Sequence, residues 1–199
     1  MRVAAALGMC TLLTACSIGT AAPPTTPVAG TTSTPPQAAS AARITPPGVP
    51  VPAAPGSNLP AFKCADASGG AAGAANVIDV RVAEQTGYDR FVIQFDNKVP
   101  SYTVKRQAKP VFKSGGSGKP VTLLGSAGVL VQVHSATGAA TYTGATDFKH
   151  PEFVVVDEAQ LTEDFEGYLS WGLGLGKPAC LRAFTLSNPP RLVIDFKTP

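Results

Sequence analysis

Histidine is scarce in this chain. His134 and His150 are the only two among 199 residues, and neither their spacing nor the cysteines around them match a metal-ligand pattern. No serine sits in a G-x-S-x-G elbow, so the strand-turn-helix arrangement of the hydrolase nucleophile is missing. Long apolar runs are missing too. The longest, Val3 to Ala15, falls well short of the roughly 20 residues needed to span a bilayer. Charge is thin and uneven. Arg43 is the one charged residue in 17–61, and no acid occurs between Asn97 and Thr146. The formal net charge is only +3, too weak a surplus to suggest a nucleic-acid partner.

What is present begins at the N-terminus. Met1-Arg2 and the short apolar stretch read as an export signal over residues 1–15. It closes on Leu13-Thr14-Ala15-Cys16, a leucine and two small residues before a cysteine, which is the pattern of a bacterial lipobox. Cys16 is therefore expected to carry the acyl chains that anchor the protein to the outer face of the cell membrane. Cys10 is a poorer candidate, because Met9 is too large for the residue before the cut. Residues 16–61 are rich in Pro, Ala, Thr and Ser, so neither helix nor sheet periodicity survives there. The segment reads as a disordered tether that could extend on the order of 140 Å as polyproline.

The remaining residues, 62–199, have the length of one domain. Their periodicity is two. In Arg90–Asn97, Phe91, Ile93 and Phe95 alternate with Val92, Gln94 and Asp96; in Arg191–Lys197, Leu192, Ile194 and Phe196 alternate with Val193, Asp195 and Lys197. The same phrase is thus written twice. Further strands are expected at Val77–Ala83, Ser101–Arg106, Pro120–Leu124, Val129–His134, Phe153–Gln160, Gly167–Leu175 and Leu181–Leu186, with turns at 85–89, 114–119, 136–140 and 187–190. Residues 157–168 are the one place where a helical turn competes with a strand. Short, evenly spaced strands predict an all-β sandwich. After processing, Cys64 and Cys180 are the only cysteines left besides Cys16, and an exported pair most simply forms a disulfide.

Two glycine-rich stretches fail as nucleotide motifs. In GGSGKP (115–120) Lys119 is followed by Pro120, and in GLGLG (172–176) no helix follows the glycines. The first reads as a hairpin loop and the second as a strand with a close backbone approach. Lys98, Lys105, Arg106, Lys109, Lys113 and Lys119 make a basic run, while acids gather in 147–166. Such charges either solvate strand edges or offer a basic face to an anionic polymer. Trp171 falls on the apolar phase of YLSWGLGL and His134 on the polar phase of GVLVQVHS. Tyr102 adjoins the basic run, either as an exposed platform or half-buried.

YDRFVIQF (88–95) followed by VPSY (99–102), and EGYLSWGLGL (166–175) followed by FTLSNPPRLVIDF (184–196), resemble the AMIN-like domain of actinobacterial lipoproteins over roughly Ala75 to Lys197. The resemblance implies a β-sandwich of two similar sheets, each contributing one copy of the repeated strand, with Arg90 and Arg191 at matching strand starts. It also implies a non-catalytic module that targets peptidoglycan, with no catalytic residue and no cofactor. No amidase or secretin segment accompanies the domain here.

The expected function is that of a lipid-anchored envelope protein binding peptidoglycan or another envelope polymer. Arg90, Arg191, Tyr102, Lys105, Arg106 and Lys109 are the candidate ligand residues. The rivals are an adaptor for an envelope protein, whose sign is an open sheet edge or apolar patch; a hydrolase, whose sign is a cleft with paired carboxylates or a serine beside a histidine; and a lipid carrier, whose sign is an apolar cavity.

Overall fold

The computed structural model describes residues 58–199. The expected signal segment, Cys16 and nearly all of the expected tether lie outside the described residues. The strands, in chain order, are β1 (Ala67–Gly69), β2 (Ala75–Gln85), β3 (Tyr88–Phe95), β4 (Tyr102–Gln107), β5 (Val111–Lys113), β6 (Pro120–Thr122), β7 (Ala127–His134), β8 (Ala136–Thr137), β9 (Asp147–Lys149), β10 (Val156–Phe165), β11 (Tyr168–Leu175), β12 (Leu181–Ser187) and β13 (Pro190–Lys197). They form a six-stranded sheet in the order β1-β4-β7-β11-β10-β9, a five-stranded sheet in the order β12-β13-β3-β2-β8, and the β5-β6 hairpin. The two large sheets pack as a β-sandwich.

Alternation builds the core. Phe91, Ile93 and Phe95 of β3 and Leu192, Ile194 and Phe196 of β13 are fully buried. They meet Val129, Val131, Val133, Leu169, Trp171 and Leu173 from the other sheet in one cluster. The Phe91 ring lies 5.6 Å from that of Trp171, which also packs 5.9 Å from Phe148. Burying side chains of this size contributes about 1.5–3 kcal/mol each.

The two copies of the repeat do not sit on opposing sheets, as the resemblance led one to expect. β3 and β13 are antiparallel neighbours in the same sheet, with Val92 opposite Val193, Phe91 opposite Ile194 and Ile93 opposite Leu192. Alternation dictates which face each side chain takes, and both copies share that face; it carries no information about which strand lies alongside. Because equivalent residues cross at Val92 and Val193, the pair has a local two-fold axis there. Arg90 and Arg191 therefore stand at opposite ends of the pair. Asp195 faces Arg90 and Gln94 faces Arg191.

The ambiguous segment 157–168 is extended. It runs as β10 into Glu166 and Gly167, with φ of 50° and 78°, and returns as β11. Two consecutive residues of positive φ suit a tight hairpin, and glycine supplies the second at no steric cost. Two register shifts interrupt β10, between Val156 and Glu158 and between Leu161 and Glu163. Asp89 occupies the inward phase of β3 yet is fully buried. Its Oδ2 accepts the N–H groups of Val155 and Val156 at 2.7 and 2.9 Å, so a carboxylate from one sheet holds the start of β10 in the other.

Cys64 and Cys180 form the disulfide. Beside it the Lys63 N–H donates to the Leu181 carbonyl at 2.8 Å and the Leu181 N–H donates back at 2.9 Å. The incoming chain is thus fastened to the edge strand β12. The β5-β6 hairpin folds over the outer face of the six-stranded sheet, with Phe112 seated above Gly172. A side chain there would come within 2.6 Å of the Phe112 ring, and one at Gly174 would meet the Leu124 carbonyl. The glycines of GLGLG are positions of close approach, as their context indicated.

Candidate functional site

The outer face of the five-stranded sheet carries most of the domain's guanidinium groups. Of the arginines in the described residues (Arg81, Arg90, Arg106, Arg182 and Arg191), all except Arg106 project there. Register arranges them in rows across β12, β13, β3 and β2. One row holds Arg182, Asp195, Arg90 and Ala83; the next holds Phe184, Val193, Val92 and Arg81; the third holds Leu186, Arg191, Gln94 and Asp79. Four residues separate Arg191 from Asp195, so the two outer rows lie about 13 Å apart. Val92 and Val193 between them are buried beneath the surrounding side chains.

Asp195 is the centre of the first row. It is fully buried, an expensive place for a carboxylate unless it is paired and hydrogen-bonded. Arg90 supplies two donors, Nε at 2.6 Å from Oδ1 and Nη2 at 3.0 Å from Oδ2, and Arg182 donates from Nε to Oδ2 at 2.8 Å. The hydrogen bond to Asp195 raises the Arg90 pKa above its ordinary value, with burial opposing it in part. Aromatic faces flank the guanidiniums. Arg182 lies 4.4 Å from the centre of the Phe62 ring and 5.1 Å from that of Tyr88, and Arg90 lies 5.0 Å from Tyr88 and 5.8 Å from Phe184. In the other rows Arg81 contacts Asp79 at 3.2 Å and the Gln94 amide at 3.2 Å. Arg191 donates to the Pro189 carbonyl at 3.3 Å and pairs with no carboxylate among the described residues. Four guanidiniums face two carboxylates, Asp79 and Asp195, so the arginines of the face outnumber the acids they pair with.

The other expected ligand residues go elsewhere. Lys105 is exposed on the outer face of the opposite sheet, across from Leu130. Arg106 is turned inward and donates to the Cys64 carbonyl at 2.8 Å, while its own N–H is held by Asp66 at 2.9 Å. Lys109 is exposed in the connection between β4 and β5. Tyr102 is only 5 % exposed and burial raises its pKa. Its hydroxyl end packs over Gly69, where an added side chain would come within 2.8 Å, so it offers no platform to solvent. The basic run is therefore no single surface. Arg182, Tyr88, Phe184 and Phe62 went unrecognised. The signal for Arg182 was its phase: in Leu181–Ser187 it shares one side with Phe184 and Leu186, and a strand paired with β13 brings that side against Asp195.

The outer face of the six-stranded sheet has a different chemistry. The β5-β6 hairpin covers a groove of about 530 Å³ whose lining includes Gln107, Leu130, Gln132, Glu163, Ser170 and the glycines of the 114–119 loop. The Ser170 hydroxyl donates to Glu163 at 2.8 Å. His134 lies next to Tyr168, ring centres 5.3 Å apart. His150 contacts Glu152 at 2.9 Å and stacks on Phe153 at 4.3 Å. Among the described residues neither histidine ring is hydrogen-bonded to a serine hydroxyl.

The family model described as the AMIN-like domain matches residues 75–198. No curated protein and no solved structure matched the chain.

Proposed function

Since the chain belongs to the AMIN-like domain family, we propose that it is a non-catalytic envelope-binding protein whose arginine face takes up an anionic envelope polymer, with peptidoglycan as the first ligand. Anchoring through an acylated Cys16 on the extracytoplasmic face of the membrane is part of the same reading. The observation that carries it is the gathering of Arg81, Arg90, Arg182 and Arg191 on three adjacent rows of one open sheet face, about 13 Å from the first row to the third. Arg191 and the nitrogens of Arg90 and Arg182 that Asp195 does not take suit carboxylates, which guanidinium forks match better than ammonium groups do. The half-buried ring of Phe184 on the same face supplies apolar contact for a sugar ring. Family membership supports binding over catalysis, since AMIN-like domains are generally binding domains.

The test is co-sedimentation of the full chain with protein-free cell wall across a salt series. Pelleting that weakens as salt rises, and that falls several-fold in Arg81→Gln/Arg191→Gln, is the expected result. Absence of pelleting at every salt concentration would remove the polymer and leave a protein partner as the ligand to seek.

A further inference from the structure

The groove beneath the glycine-rich hairpin lies on the sheet opposite the arginine face, and its construction points to a ligand of another kind. Two adjacent rows of outward side chains form its approach. Phe165, Tyr168 and His134 make the first row, and Glu163, Ser170, Gln132 and Thr103 the second. Alternate residues on a strand are spaced by about 6.7 Å, so an aromatic row stands one sugar's breadth from a row of hydrogen-bonding groups.

Phe165 and Tyr168 are 56 % and 45 % exposed, and they sit directly opposite each other at the β10-β11 turn. Adjacent exposed aromatics offer ring faces on which a ligand can stack. From Phe165 a depression of about 280 Å³ runs past Glu163 to Gly115 and Gly116. The same four residues, Gly115, Gly116, Thr162 and Glu163, also line the larger groove, so the two hollows are continuous under the loop.

The loop is held over the groove by the sheet irregularity. At the register shift between Leu161 and Glu163, the Thr162 carbonyl accepts the Gly115 N–H at 2.8 Å. A side chain at position 115 would come within 2.6 Å of the Glu163 side chain, so glycine is what lets the carboxylate pass beneath. Gly116 and Gly118 have φ of 72° and 65° with open space around them.

The occupant follows from the donors and acceptors. The floor offers the Gln107 and Gln132 amides, which can donate to or accept from hydroxyls, and the Glu163 carboxylate, which accepts from them. Glu163 disfavours an anion. A peptide strand would need an open edge for main-chain pairing; β7 and β11 are paired on both sides, and on β10 beside them the Thr162 carbonyl is already taken by the Gly115 N–H. Stacking faces next to planar amide and carboxylate groups suit a pyranose ring.

We propose that this groove binds an uncharged pyranose oligosaccharide, with Phe165 and Tyr168 as the stacking platform and Gln132 and Glu163 as the hydrogen-bonding floor. The site is separate from the arginine face, so the protein would hold two different envelope glycans on its two sides.

The experiment is an amide-shift titration of the isotope-labelled full chain with cellotetraose, maltotetraose, mannotetraose and chitotetraose. Saturable shifts at Gly115, Gly116 and Ser170 with at least one of them, with Kd in the region of ~0.1–10 mM, are expected. Phe165→Ala and Tyr168→Ala, both at exposed positions, should each weaken that binding about tenfold without lowering Tm, and Arg81→Gln/Arg191→Gln should leave it intact. The proposal is overturned by an absence of saturable shifts with all four sugars at ~10 mM, by binding indifferent to both aromatic variants, or by shifts confined to the arginine face.

Discussion

Arg90 and Asp195 face each other across β3 and β13, Nε to Oδ1 at 2.6 Å, and Asp195 stands at one of the two positions where RFVIQF and RLVIDF differ. Where the second copy has Asp195, the first has Gln94. Within β3 and β13 the local two-fold would otherwise make the Arg90 and Arg191 cross-strand pairs alike. The substitution of an acid for an amide turns one row into a buried charge cluster with Arg182 and leaves the other row open. Removing the carboxylate strands two partly buried guanidiniums, so Asp195→Ala is expected to cost about 3–5 kcal/mol in urea unfolding. Arg191→Ala, which breaks no ion pair, should stay within about 0.5 kcal/mol. Equal effects of the two substitutions would show that the rows are energetically alike.

The Cys64–Cys180 bridge spans 116 residues of sequence. A closed loop of that length removes enough unfolded-state entropy to be worth about 4–5 kcal/mol in the chain-entropy model. Cys64→Ala and Cys180→Ala should each lower Tm sharply, and to the same value as reduction of the parent protein. A difference between the two single variants would point to a role for one thiol beyond the bridge.

The all-β class, the longer strands from Val77 onward and the burial of Trp171 were legible because each rests on alternation, a local property. Pairing was not. Nothing in RFVIQF or RLVIDF says that they lie side by side, because neighbour choice is settled by long-range packing. The short strands β1, β5, β8 and β9, of two or three residues each, carry too few alternations to show a period. The site was half legible for the same reason. Arg90 and Arg191 stood out through the repeat, whereas Arg182 gains its meaning only from a partner strand. Arg106, Lys105 and Lys109 are close in sequence, but alternation and the bend into the hairpin send them in different directions.

Gly172 and Phe112 are a second coupled pair. The ring occupies the space a side chain at 172 would need, 2.6 Å from its added carbon, and Phe112 is only 4 % exposed. Gly172→Ala should cost about 1–3 kcal/mol by forcing the hairpin outward. In a Phe112→Ala background the same change should cost much less, and the double-mutant cycle reads the coupling directly. Additive effects would mean that the hairpin does not rest on the sheet through this contact.

Asp157 gives the domain a pH dependence of unusual sign for a carboxylate. Burial raises its pKa above the ordinary value, and the nearby Asp89 raises it further. The folded state therefore holds this proton more tightly than the unfolded chain does. Between the ordinary carboxylate pKa and the raised one, the native state binds more protons, so this group's contribution to stability falls as pH rises through that window and recovers as pH is lowered. Asp157→Asn removes both the desolvated charge and its repulsion with Asp89. It should raise Tm at pH 7, and the gain should shrink as the pH approaches 4. Thermal melts of the two proteins from pH 4 to 7 make the comparison. A gain that is constant across the range would assign the effect to packing, and a loss at pH 7 would show that the ionised carboxylate has a stabilising partner.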